Sequence, residues 1–142
     1  MSGLSPRLAP LPIAWAISGR AATQMTATET VAIYRAPFAC EVVDAGFVEN
    51  ITAVAKSATN HCRISLLNGG TAGAGTSVIA TALIGSAATV AALTCTVLTM
   101  TGTVAYKKLD AGDYLMLKYT ETGTLTPSGF FGSLGVVFGT ED

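Results

Sequence analysis

From Ile64 to Tyr106 the chain carries no charged side chain. This stretch restricts the fold more than any other, because an uncharged segment of such length must be buried, covered by a partner, or placed in a membrane. Between Ser77 and Met100 it is long enough to cross a bilayer as a helix. Gly85-Ser86 interrupts that run, however, and Thr81, Thr89, Thr94, Thr96 and Thr99 are mixed with Val and Ile. β-Branched side chains are stiff at χ1 and pack well on a pleated surface. The expectation is therefore strands and no membrane span.

Charge is scarce elsewhere too. Charged residues make up 12% of the 142 residues, about half the usual share. The length suits one domain able to bury roughly 70% of its unfolded surface. A net charge of −1, with no basic stripe and no interleaved aromatics, argues against nucleic acid as a partner. So uncharged a surface suits an assembled protein better than a free monomer.

The clearest strand follows a turn, Asp110-Ala111-Gly112-Asp113, and runs over Asp113–Thr120 until Gly123 stops it. Leu115, Leu117 and Tyr119 fall on one face at period two, and Tyr114, Met116 and Lys118 on the other. The first is a core face. The second carries a tyrosine and a methionine where water-facing residues belong, which marks Tyr114 and Met116 as candidates for an oligomer interface.

The remaining chain reads as further strands between turn signals. Thr28–Ala36 is expected to place Val31 and Ile33 inward and Tyr34 outward, and Glu41–Ile51 to align Val43, Ala45 and Phe47, with Gly46 marking a bulge or a close neighbour. His61–Asn68 directs Cys62, Ile64 and Leu66 inward and His61, Arg63 and Ser65 outward. Thr71–Thr76 reads as a flexible connection; with no lysine following and no strand–loop–helix context it does not suit phosphate. Ser77–Ile84 is a strand, and Gly85–Leu93 the only candidate helix. Thr94–Met100 and Thr103–Leu109 are expected to pair as a hairpin across Thr101-Gly102. Ser133–Gly139 closes the domain with Leu134, Val136 and Phe138 inward. Eight short strands imply an all-β, antiparallel β-sandwich, the strand count of a jelly roll.

No catalytic constellation stands out. His61 and Cys62 are neighbours in one strand and point to opposite faces, so they cannot act together; His61 reads as a surface or interface residue. Asp110 and Asp113 flank a turn, and Glu41, Asp44 and Glu49 are spread along one strand. Cys40, Cys62 and Cys95 are odd in number and widely spaced; they are expected to be buried and reduced. With one histidine and no C-x-x-C pair, neither a metal nor a cofactor is expected.

Residues 1–25 are expected to form an extended N-terminal arm, ahead of a sandwich domain over 26–142. Pro10 and Pro12 interrupt what would otherwise resemble a signal-peptide core. Leu8, Leu11, Ile13, Trp15 and Ile17 form an apolar row suited to binding a partner's groove, with Trp15 as anchor. The alternative is that the arm folds back on its own sandwich.

Three stretches, VAIYRAPFACEVVDAGF (31–47), RISLLNGGTAGAGT (63–76) and LDAGDYLMLKYTETGT (109–124), resemble the small decoration (cement) proteins on the heads of tailed bacteriophages. That resemblance implies a jelly-roll subunit of the virion surface, assembled in the host cytoplasm, that forms a homotrimer and bridges major capsid proteins. It implies no reaction and no cofactor. The second reading of the same fold is a carbohydrate-binding or adhesin module at the virion surface.

Overall fold

In the computed structural model, residues 11–17, 29–49, 57–85, 94–123 and 132–140 are described. They form an all-β sandwich of two antiparallel sheets. The strands are β1 (Leu11–Ile17), β2 (Glu29–Arg35), β3 (Cys40–Glu49), β4 (His61–Asn68), β5 (Ser77–Ile84), β6 (Cys95–Val97) and β7 (Thr99–Met100). One helical turn, α1 (Val104–Lys107), precedes β8 (Lys108–Leu109), β9 (Tyr114–Thr122) and β10 (Gly132–Thr140). Sheet I has the order β1-β10-β3-β6, with β8 also on β3, and sheet II the order β2-β9-β4-β5-β7.

The core is built from the inward residues of both sheets, as their alternation requires. Val42, Leu134 and Val136 of sheet I and Ile64, Leu66 and Leu115 of sheet II are fully buried. Cys62, Leu117, Tyr119 and Phe138 also lie inside, as the period-two reading expects. Leu98 is buried where the chain steps from β6 in sheet I to β7 in sheet II, and its N–H donates to the Ala45 carbonyl at 2.9 Å. This crossing replaces the expected hairpin. Cys95–Val97 pairs with β3, Thr99–Met100 with β5, and the segment expected to return as a strand instead forms α1 and the two-residue β8.

Three bulges move side chains from one face to the other. In β2 the register shifts between Ala32 and Tyr34, so Tyr34 lies opposite Leu115 of the core face. It therefore points inward, its ring centroid 4.8 Å from that of Phe138, where the unbroken alternation placed it outward. In β3 the shift skips Val43. Val42 takes the inward place and Val43 is 42% exposed, the reverse of the simple reading. Gly46 lies beside Cys95, whose Sγ would sit 3.1 Å from an added Cβ. In β5 Ile79 is skipped and buried. One inserted residue resets the face of everything beyond it.

Leu11–Ile17, expected as part of the arm, is the edge strand of sheet I, so the fold-back alternative describes this segment. Leu11, Ile13, Trp15 and Ile17 pair in register with Phe138, Val136, Leu134 and Gly132, the first three of which are buried core residues. Pro12 is compatible with an edge, where one missing N–H breaks no second ladder. Leu8, the Gly85–Leu93 helix beyond residue 85, and the chain around residue 25 lie outside the described residues.

Candidate functional site

The outer face of sheet II is organised in cross-strand rows. Thr30 pairs with Lys118, Lys118 with Ser65, Ser65 with Thr81, and Thr81 with Thr99. The result is one polar row across all five strands, about 19 Å long at the usual strand spacing. On one side runs an apolar row, Ala32, Met116, Leu67 and Val78. On the other, Thr120 pairs with Arg63 and Arg63 with Leu83.

The middle of the apolar row, Met116 and Leu67, is covered by the chain itself, while Ala32 and Val78 at its ends are exposed. After β4 the backbone turns back, held by Gly69 N–H donating to the Tyr114 carbonyl at 2.8 Å and Tyr114 N–H donating to the Gly70 carbonyl at 3.0 Å. Asn68 anchors both ends of this arrangement: its Oδ1 accepts from Gly70 N–H at 2.9 Å, and its Nδ2 donates to the Lys108 carbonyl at 2.7 Å. A Cβ on Gly69 would lie 2.7 Å from Met116 Cγ, and one on Gly75 would collide with the Asn68 carbonyl oxygen. Gly75, expected within a flexible connection, and Gly69 just before it therefore serve close packing.

This roof offers Met116, expected as an oligomer-interface residue, a cover from within the chain. Met116 is only 8% exposed within the single chain, beneath Gly69 and Gly73, so its apolar character needs no second subunit. Tyr114 is half-buried and lies under Arg35, whose guanidinium carbon is 5.9 Å from the ring centroid.

Beside the roof the surface opens into two troughs that share Thr76 and Val78. The first, of about 480 Å³, is lined by Thr30, Arg63, Ser65, Lys118 and Thr120 together with the backbone of the loop. The second, of about 460 Å³, includes Thr81, Thr99, Met100 and Tyr106, the last 42% exposed. Thr81 joins them. Its hydroxyl donates to the Ile64 carbonyl at 3.1 Å and accepts from Arg63 Nη1 at 3.2 Å. Ser65 Oγ lies 2.9 Å from Thr81 Oγ1; with that proton already given to Ile64, Ser65 is the donor. Among the described residues no carboxylate lines either trough.

The other polar residues singled out from the sequence hold structure. Asp113 is buried and accepts from Asp110 N–H at 2.9 Å, closing the turn that starts β9. Asp44 accepts from Ala45 N–H at 2.9 Å, and Glu41 pairs with Lys107 at 3.2 Å. His61 Nδ1 is 3.1 Å from the Ser57 carbonyl, which can only accept, so that nitrogen bears the proton. Cys40 and Cys62 are buried as expected, whereas Cys95 is exposed; no disulfide joins the three. Burial, and then the nearby Cys40 thiol, push the Tyr34 hydroxyl above its ordinary pKa.

Among the described residues no group of three or more His, Cys, Asp or Glu is placed to hold a metal, and no helix is long and apolar enough to cross a membrane. Of the trough residues Arg63, Ser65 and Lys118 were legible as outward strand positions, but nothing in the sequence aligned them with Thr30, Thr81 and Thr99 into a row. Comparison with family models, with curated proteins and with solved structures gives no match to this chain.

Proposed function

We propose that the protein is a structural subunit of a phage virion surface, a decoration protein that forms a homo-oligomer, a trimer in the family it resembles, and bridges major capsid proteins. The observation carrying this reading is the outer face of sheet I. Val97 is 66% and Val43 42% exposed there, with Val48 and Val137 half-buried beside the glycine pair Gly46 and Gly135. Its described charges lie toward the bulge end of β3, where Asp44 accepts from the Ala45 N–H, Glu41 is paired with Lys107, and Lys108 lies opposite Glu41. A face with small residues and exposed valines suits close approach of another protein surface and suits water poorly.

With the short strands β7 and β8 set aside, the strand orders 1-10-3-6 and 2-9-4-5 support the jelly-roll form of the sandwich. The segment ahead of β1, including Leu8, keeps its proposed role as a contact to the shell or a neighbouring subunit. The test is the solution mass of the full chain by light scattering, followed by co-sedimentation with decoration-free heads of the parent phage. The expected results are an oligomer at micromolar concentration and saturable binding to the heads. A monomer that stays in the supernatant would overturn the reading.

A further inference from the structure

The troughs on sheet II carry a second inference, independent of sheet I. Arg63 and Lys118 are diagonal neighbours on β4 and β9, since Lys118 pairs with Ser65 and Arg63 with Thr120. Diagonal neighbours lie about 7–8 Å apart, within reach of long side chains. Among the described residues neither is paired with a carboxylate: Arg63 donates to the Thr81 hydroxyl, and Lys118 has no partner. Two like charges side by side with no counter-charge repel, and an anion between them removes that repulsion.

The surroundings select the kind of anion. At the two ends of the row exposed Thr30 and Thr99 present hydroxyls, which both donate and accept and so complement the hydroxyls of a sugar; between them Thr81 is fully engaged with Ile64, Arg63 and buried Ser65. At the far end, exposed Tyr106 offers a flat apolar ring with a polar tip beside Met100. A peptide adding as a strand needs an open sheet edge with unpaired N–H and C=O groups, and this trough runs across a face instead. Nucleic acid relies on many phosphate contacts, whereas two cations face this trough.

We propose that the outer face of sheet II binds an acidic polysaccharide, with Arg63 and Lys118 taking a carboxylate of the sugar chain, Thr30 and Thr99 taking its hydroxyls, and Tyr106 stacking on a neighbouring ring.

Titration of the full chain with polygalacturonate at low ionic strength tests this, with neutral dextran and poly-glutamate as comparison polymers. Polygalacturonate is expected to bind, more weakly as salt rises, while dextran does not. Arg63→Gln with Lys118→Gln should reduce the affinity about tenfold or more with an unchanged melting temperature. Tyr106→Ala should reduce it by a smaller factor. Should the double variant melt early, Lys118→Glu alone gives the same readout from a side chain without a structural partner. Three results would each overturn the proposal: no binding of polygalacturonate, equal binding by the charge variants, or equal affinity for poly-glutamate with no effect of Tyr106→Ala. Failure of head binding bears on sheet I alone and leaves this test unaffected.

Discussion

The two outer faces of the sandwich differ in their middle, although each leaves apolar side chains exposed, Val78 and Leu83 on sheet II and Val43 and Val97 on sheet I. Sheet II places Met116 and Leu67 outward, then folds the Asn68–Thr76 loop over them, so that both are buried within one chain. Sheet I leaves Val43 and Val97 exposed on a glycine-bearing surface. Apolar residues on an outer face therefore do not by themselves announce a partner. What matters is whether the chain covers them itself, and that depends on a loop distant from β9 in sequence.

The strongest way to break this comparison is to place the same charge on both faces. Met116→Lys should destabilise the free protein by about 3 kcal/mol, because the ammonium would be buried under the loop without a partner. Urea unfolding measures it; an unchanged midpoint would mean that the roof is not closed. Gly75→Val removes the roof from the other side. Its side chain meets the Asn68 carbonyl, and the loop must shift at a loss of about 2–3 kcal/mol. Dye binding to newly exposed Met116 and Leu67 should accompany that loss.

Smaller changes sharpen the contrast. Thr81→Val deletes the hydroxyl that links Arg63, Ser65 and the Ile64 carbonyl, and should lower stability by about 1 kcal/mol in the same assay. Val97→Lys, on the exposed face of sheet I, should alter stability by less than about 0.5 kcal/mol yet abolish self-association seen by light scattering. A fully retained oligomer would remove that part of sheet I from the interface.

The smallest effect concerns pH and lies inside the sandwich. Burial first, and the Cys40 thiol second, raise the pKa of Tyr34 in the folded protein. The unfolded chain, with an ordinary value of about 10, then releases the proton first as pH rises. The stability Tyr34 contributes is therefore fully present below about pH 10 and is lost as pH climbs through the folded value. Comparing urea midpoints of the unmodified protein and Tyr34→Phe between neutral and alkaline pH should show a steeper alkaline loss for the tyrosine.

Local pattern was enough to find β4 and β5 with their observed ends, to place Leu115, Leu117 and Tyr119 in the core, and to make Asp110–Asp113 a turn. Those features depend on alternation and turn chemistry within about ten residues, which the sequence states directly. The sequence also determined the all-β class, because threonine, valine and glycine recur with no helical period. Tertiary structure decided the rest. Each bulge inserts a residue that only the partner strand's register reveals, so Tyr34 turned in and Val43 turned out. The stretch from Cys95 to Leu109 has strand-like composition throughout, but pairing with β3 and β5 across two sheets divided it differently from a local hairpin. The polar row from Thr30 to Thr99 joins five separated strands, and its alignment exists only once those strands are laid side by side.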